Sequence, residues 1–276
     1  MAETREPGAL VVARDLTIAG PAGDLVHGIS FALERGGALG IVGESGSGKS
    51  LTCRSLLGIL PPGVAVTGGS IEFDGRDVTN LGYRDWQGIR GTEIGAVFQD
   101  PGSYLNPGIP VGKQVAEVLR VKLGMSRREA STTAIESLRG LGLRAPELVS
   151  LQYPHELSGG MLQRVLIAIA LAENPRVLIA DEPTTALDVT VQAEVLDVLA
   201  DLRERLDLSV ILVSHDLAVV AQVCTEIVVL KDGVIVEAGP TARVLGDPQH
   251  PYTRLLVDNH ARYGIERYLS PELADA

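Results

Sequence analysis

The chain has 276 residues, of which 45% are hydrophobic and 4% aromatic, and its formal net charge is −11. This length is typical of one large domain, or of a core with an added lobe. A chain of this length can bury a sizeable core without disulfides. So acidic a surface repels phosphate backbones and argues against a general nucleic-acid binder. Cys53 and Cys224 show no pairing pattern and are expected to be reduced thiols.

Neither a membrane span nor a signal peptide is expected from the hydropathy pattern. No apolar run approaches the roughly 20 residues that cross a bilayer. The first seven residues carry acidic side chains and lack an apolar stretch. If the protein works at a membrane, another subunit would hold it there.

Short apolar runs and alternating segments predict an α/β fold. Residues 8–36 and 66–80 alternate in polarity, which predicts a small antiparallel β layer. Unbroken β-branched runs between turn residues favour strands buried on both faces of a mostly parallel sheet. These runs are 39–42, 94–98, 177–180, 210–213 and 227–230.

A helical lobe, about 100–172, is predicted to be inserted between these strands. One helix begins near Val111, and Ser126 with Glu129 forms a capping box that opens a second. Ser158 caps a third. A further helix follows Asp188, where apolar residues recur at helical spacing.

The segment Gly43-Glu44-Ser45-Gly46-Ser47-Gly48-Lys49-Ser50 matches the phosphate-loop pattern G-x-x-x-x-G-K-[ST]. Its glycines allow backbone N–H groups to surround phosphate oxygens at a helix N-terminus. Lys49 would neutralise the β- and γ-phosphates of a nucleotide, and Ser50 would offer its hydroxyl to Mg²⁺. The alternative, a plain Gly/Ser turn, does not account for a strand before the loop and a helix after it.

Acidic and basic side chains follow two other predicted strands. Asp181 suits Mg²⁺ coordination, and Glu182 suits the base that orients an attacking water. Without the phosphate loop, these two acids would indicate a solvated turn. His215 could reach a γ-phosphate; the run Ser214-His215-Asp216 does not predict a serine hydrolase, because adjacent triad residues cannot converge.

The turn Ser158-Gly159-Gly160 predicts a second anion site, because a Ser-capped helix start with two glycines exposes N–H groups. One chain cannot readily fold both anion sites onto one nucleotide. A second copy or a relative could supply this turn across an interface.

Together these motifs resemble the ATP-binding subunits of ABC transporters, over roughly residues 10–258. The set comprises the phosphate loop 43–50, a Q-loop at 98–101, the signature 157–161, the acidic strand 177–182, a D-loop at 186–188 and a switch His215. The resemblance implies a P-loop NTPase core with the antiparallel layer and the helical signature lobe, within an ATPase domain at 8–258 and a short tail at 259–276.

The resemblance also implies roles for particular residues, with ATP and Mg²⁺ as ligands. The implied catalytic residues are Glu182, His215 and Gln99. The implied metal-binding residues are Ser50, Gln99 and Asp181. ATP binding falls on Gly43, Glu44, Ser45, Gly46, Ser47, Gly48, Lys49, Ser50, Ser158, Gly159, Gly160 and Asp188.

Four segments are similar to the dipeptide, oligopeptide and nickel importer branch: 98–107, 153–161, 181–192 and His250-Pro-Tyr-Thr253. This similarity implies the first of two paired ATPase subunits, at the cytoplasmic face of the membrane. Its partners would be a second ATPase, two permease subunits and, through them, an extracytoplasmic solute-binding protein. Nickel or a metal chelate remains open as the solute, as do an exporter, a regulatory subunit and a soluble ABC ATPase without transport.

Three departures from the family pattern bear on the site. The family often stacks an aromatic residue on adenine near position 20, but this chain has Ala19-Gly20 there, so weaker or less selective base binding is expected. Leu162 replaces a usual arginine. No Cys-rich C-terminal motif is present in the sequence, so no iron–sulfur cluster is expected.

Overall fold

The computed structural model describes residues 8–184 and 187–261. Its strands are β1 (Ala9–Gly20), β2 (Gly23–Glu34), β3 (Ala38–Val42), β4 (Ala65–Phe73), β5 (Arg76–Asp77), β6 (Ile94–Val97), β7 (Val177–Asp181), β8 (Ser209–Ser214), β9 (Glu226–Lys231) and β10 (Val234–Pro240). Its α-helices are α1 (Lys49–Leu56), α2 (Tyr83–Gln87), α3 (Pro101–Tyr104), α4 (Val111–Leu123), α5 (Arg127–Gly140), α6 (Pro146–Val149), α7 (Gly159–Ala170), α8 (Val189–Leu206), α9 (Leu217–Val223), α10 (Thr241–Gly246) and α11 (Pro251–Ala261).

The chain forms two compact units. Of the described residues, those up to Gln87 and from Arg203 onward form the first unit, and those between Gly88 and Leu202 form the second. In the first unit, β2, β1, β4 and β5 form an antiparallel sheet in that order. Buried aliphatic side chains such as Leu16 and Ile29 pair across β1 and β2 and explain the alternating pattern of the sequence.

The other strands of the first unit are β3, β8, β9 and β10, and most of them pair in parallel. β3 pairs in parallel with β8 and with β9, and β10 adds to β9 as an antiparallel hairpin. β3 and β8 are buried along their whole length, as expected for strands covered on both faces. Gly40 of β3 lies so close to α9 that a Cβ would come within 2.2 Å of Val220 Cγ1.

The second unit contains the parallel pair β6 and β7 and, between them in the chain, the helices α3 to α7. The capping box of α5 is present, because Ser126 Oγ accepts from Glu129 N while the Glu129 carboxylate accepts from Ser126 N. Ser158 likewise caps α7 by accepting from Met161 N. Both helix starts were predicted from the sequence.

The predicted α/β class, with mostly parallel strands and a separate antiparallel layer, is confirmed. Cys53 and Cys224 are both buried, and neither takes part in a disulfide. Within 8–184 and 187–261, no helix combines the length and apolar character that a bilayer crossing requires. Ala186 of the predicted D-loop, the first seven residues and most of the predicted tail lie outside the described residues.

Candidate nucleotide-binding site

The predicted phosphate loop connects β3 to α1 in the first unit. Val42 ends β3, and α1 begins at Lys49 with Gly48 as its N-cap. Gly48 has a φ of 101°, in the left-handed region that favours glycine. A Cβ on Gly43 would lie 2.1 Å from the carbonyl oxygen of Leu230, so only glycine fits there. These two glycines bring the loop to the N-terminus of α1, where the helix dipole favours an anion.

Lys49 is buried against the loop that precedes it. Its side chain is almost inaccessible, and its ammonium donates to the carbonyl oxygens of Gly43 and Glu44, each at 2.7 Å. A buried ammonium needs such acceptors, because burying a charge without them is costly. The loop therefore holds a fixed positive charge at the N-terminus of α1.

A buried hydroxyl in the loop fits a bound phosphate. Ser47 Oγ is inaccessible and has no hydrogen-bond partner among the described residues. The Ser47 backbone, in contrast, is fully engaged, donating to the Glu44 carbonyl and accepting from Gly233 N. Buried hydroxyls are normally paired. A phosphate oxygen would provide the acceptor that Ser47 lacks.

In the second unit, the ends of β6 and β7 bring Gln99 and Glu182 together. Gln99 Nε2 donates to Glu182 Oε2 at 3.3 Å. The two strands pair in parallel, so their carboxyl ends meet at one edge. Asp181, the last residue of β7, is 5% exposed and lies beside Glu182 in the chain. The predicted metal-binding and water-orienting groups are thus neighbours at this edge.

Glu182 has an unusual backbone conformation. Its φ is 50°, in the left-handed region that a non-glycine residue enters at a cost of about 1–2 kcal/mol. Such strain tends to accumulate where a side chain must be aimed for function. This conformation at the end of β7 turns the chain away from the strand direction immediately after Asp181.

All three predicted metal-binding side chains can offer an oxygen atom to a metal ion. Ser50 is half-buried at the start of α1, and Gln99 and Asp181 lie at the ends of β6 and β7. Hydroxyl, amide and carboxylate oxygens are ligands that Mg²⁺ accepts, with water and substrate phosphates completing its shell. Each of these side chains therefore offers an oxygen ligand that suits Mg²⁺.

The Ser-Gly-Gly turn packs against the start of α8, also in the second unit. A Cβ on Gly160 would lie 2.2 Å from Val191 Cγ1, and one on Gly159 would lie 2.8 Å from Leu187 Cδ2. Asp188 caps α8 by accepting from Val191 N at 3.0 Å. The sequence predicted glycines that expose N–H groups; the structure adds that they permit close helix packing next to the D-loop residue Asp188.

His215 follows β8 and precedes α9, with an exposed side chain. Its neighbours make local bonds: Ser214 Oγ accepts from Asp216 N, and Asp216 Oδ1 accepts from Ala218 N to cap α9. Ser214 and Asp216 therefore stabilise the strand-to-helix turn that carries His215.

Sequence reasoning missed Tyr252 as a residue of this site. Tyr252, on α11, accepts a hydrogen bond from Glu44 N at 2.9 Å, although the two residues are 208 positions apart. The motif His250-Pro-Tyr-Thr253 was the available signal, but it predicted only the branch of the family. Its contact with the phosphate loop depends on the tertiary fold.

Comparison with known proteins places these features in one family. The ABC transporter family model matches residues 26–185. The oligopeptide transport ATP-binding protein OppD of Bacillus subtilis is 48% identical over 229 residues, which cover 83% of this chain and 64% of OppD. The dipeptide transport ATP-binding protein DppD of Lactococcus lactis is 46% identical, over 86% of this chain and 69% of DppD. The chain thus spans about two thirds of these two relatives.

Three further proteins extend this result. The metal-staphylopine import system ATP-binding protein CntD of Staphylococcus aureus is 42% identical, over 84% of this chain and 86% of CntD. Among solved structures, cbiO1 from Clostridium perfringens, part of the cbiONQ transporter complex, superposes with a TM-score of 0.78 at 26% identity, over 94% of this chain and 97% of cbiO1. The cassette MJ0796, bound to ADP and Pi as a dimer, has a TM-score of 0.74 at 30% identity, over 84% of this chain and 98% of that one.

The fold and the loop define a P-loop nucleotide-binding protein. The chain belongs to the ABC transporter family. The predicted recognition as an ATP-binding subunit of this family is confirmed, and so is the predicted enzyme class, an ATPase. The roles of individual site residues stay predictions.

Proposed function

We propose that this chain binds and hydrolyses ATP to drive the import of dipeptides or oligopeptides through separate permease subunits. The observation that carries the ATP-binding part is the phosphate loop, where the Lys49 ammonium is fixed by two loop carbonyls and the Ser47 hydroxyl is left for a ligand. The solute follows from relatives named for oligopeptide and dipeptide transport at 46–48% identity.

Each site residue has a proposed part in the reaction. Residues 43–50 hold the phosphates, with the Lys49 charge on the β- and γ-phosphates. Ser50, Asp181 and Gln99 would hold Mg²⁺, which supplies charge neutralisation to the phosphates when bound. Glu182 accepts a hydrogen bond from the attacking water and orients it, and His215 steadies the γ-phosphate.

The assembly we propose contains two ATPase subunits closed head-to-tail around two ATP molecules. In it, Ser158, Gly159 and Gly160 of this chain would cap the γ-phosphate of the ATP that the partner holds, with Asp188 nearby, and the partner's signature turn would cap the ATP that this chain holds. The dimeric cassette MJ0796 and the complex-forming cbiO1 support pairing and membership of a transporter complex. We further propose that the partner is a different ATPase subunit and that the assembly lies at the cytoplasmic face of the membrane, with two permeases and a solute-binding protein.

Metal-chelate import is the second candidate function. The relative CntD is named for metal-staphylopine import, and this chain covers more of CntD than of either peptide-transport relative, 86% against 64% and 69%. The cassette would use the same ATP chemistry in either case, because the solute is bound by other subunits.

An uptake assay distinguishes these candidates. Cells that lack this chain would be complemented with the wild-type chain or with Glu182→Gln, and the uptake of a labelled dipeptide and of a labelled nickel chelate would be measured. We expect the wild-type chain to restore dipeptide uptake and Glu182→Gln to restore none. Restoration of chelate uptake alone would favour the second candidate, and restoration of neither would contradict import.

A further inference from the structure

The peptide unit between Gly43 and Glu44 is held at both ends. Its carbonyl oxygen, that of Gly43, accepts from Lys49 Nζ at 2.7 Å, and its N–H, that of Glu44, donates to the Tyr252 hydroxyl at 2.9 Å. No described peptide bond is cis, and a trans peptide is planar with its C=O and N–H pointing in opposite directions. The Tyr252 hydroxyl therefore sets the direction of a carbonyl that holds the Lys49 ammonium.

Tyr252 is itself firmly placed. Its side chain is buried, and Lys231 Nζ lies 5.1 Å from the centre of its ring, a cation–π contact. Lys231 ends β9 directly after Leu230, whose carbonyl closely approaches Gly43. The end of β9 thus contacts both the ring of Tyr252 and the beginning of the phosphate loop.

The start of α11 is fastened to β10 by a buried carboxylate. Glu237 accepts from the backbone N–H groups of Gln249 and His250 at 2.9 and 3.0 Å. Burial of Glu237 raises its pKa, but these two hydrogen bonds, together with Thr253 and Arg243, outweigh burial and lower the pKa below its usual value. Glu237 therefore stays ionised at neutral pH and fixes the helix turn that carries Tyr252.

We propose that Tyr252 is a positioning residue for the phosphate loop, so that α11 must be docked for full nucleotide affinity. The hydroxyl orients the Gly43–Glu44 peptide, and this peptide in turn places the Lys49 ammonium. The inference rests on the proposed role of Lys49 as the phosphate-binding lysine. It assigns the His250-Pro-Tyr-Thr253 segment a part in ATP binding.

The substitution Tyr252→Phe tests the proposal, because it removes the hydroxyl and keeps the ring over which Lys231 lies. The dissociation constant of a non-hydrolysable ATP analogue with Mg²⁺ should rise about five-fold, the effect of losing one hydrogen bond of typical net strength. The KM for ATP should rise with it while kcat stays close to the wild-type value. A wild-type dissociation constant in a folded Tyr252→Phe variant would overturn the proposal.

The matched control is Tyr83→Phe, which removes the same hydroxyl from a tyrosine on α2 that is 72% exposed. It should leave nucleotide affinity unchanged. A purely structural role for Tyr252 would instead lower the unfolding midpoint of the nucleotide-free protein and leave the affinity of the folded fraction unchanged, which also counts against the proposal.

Two measurements keep this inference separate from the phosphate-loop assignment. If Lys49→Ala leaves analogue binding unchanged, the assignment itself fails; if Lys49→Ala abolishes binding and Tyr252→Phe does not weaken it, only the role of Tyr252 fails. Should Tyr252→Phe not fold, hydrogen exchange of the Glu44 amide in the wild-type protein decides. Slow exchange supports the hydrogen bond, and exchange at the unprotected rate overturns it.

Discussion

Glu182 is the residue on which ATP turnover should depend most. It lies at the end of β7 with a φ of 50° and accepts from Gln99, so its carboxylate is held rather than free to rotate. Glu182→Gln should keep ATP binding near wild type and lower steady-state hydrolysis by about 10²-fold or more, because a general base of this kind contributes at least that factor. A phosphate-release assay beside an ATP-binding titration measures both. Hydrolysis near the wild-type rate would refute the assignment of the base.

At the scale of elements, local signals in the sequence predicted helix starts and buried strands well. The capping box at Ser126 needs only its own first turn, and strands such as β3 are marked by unbroken apolar runs. The contacts that join distant elements could not be predicted. The bonds of Gln99 to Glu182 and of Glu44 to Tyr252 span 83 and 208 residues, and they follow from strand pairing and helix docking rather than from any local pattern.

The packing of α7 against α8 is another contact between elements, and it gives a testable prediction about stability. Gly160→Ala would place a Cβ 2.2 Å from Val191 Cγ1, and the β-branched Val191 has little freedom to turn away. We expect the free energy of unfolding to fall by about 1–3 kcal/mol, measured by denaturant titration. Because Val191→Ala removes the clashing methyl group, the double variant should be more stable than the sum of the single effects by about 1 kcal/mol.

Gly140→Ala is the matched control for this cycle. Gly140 ends α5 in the same unit, and a Cβ there would meet nothing within 4 Å. The substitution should leave stability unchanged or raise it slightly, because alanine favours the helix more than glycine does. If Gly160→Ala and Gly140→Ala changed the free energy of unfolding equally, the close approach of α7 to α8 would not contribute to stability.

At the scale of the whole molecule, the net charge helps to distinguish a transport ATPase from an ATPase that acts on nucleic acid. The chain has 35 acidic and 24 basic residues, a net charge of −11, which opposes a DNA backbone at low salt. A local exception is the cleft of about 410 Å³ beside α4 and α5, whose lining includes Lys113, Arg120 and Arg127 together with Glu117. An experiment that asks whether DNA stimulates the ATPase therefore needs a variant in which the basic residues of this cleft are replaced.

Duplex DNA at roughly 50 mM salt should leave the ATPase rate unchanged, because binding driven by phosphate contacts needs a basic surface. Membranes that carry the two proposed permeases should, in contrast, raise the rate, since in the assembly we propose the closure of the paired ATPases is coupled to the pore. Steady-state phosphate release under both conditions makes the comparison. Stimulation by DNA that disappears at about 200 mM salt, and that is lost when Lys113 and Arg120 are changed to Glu, would favour a non-transport ATPase and place its contact in the cleft beside α4 and α5.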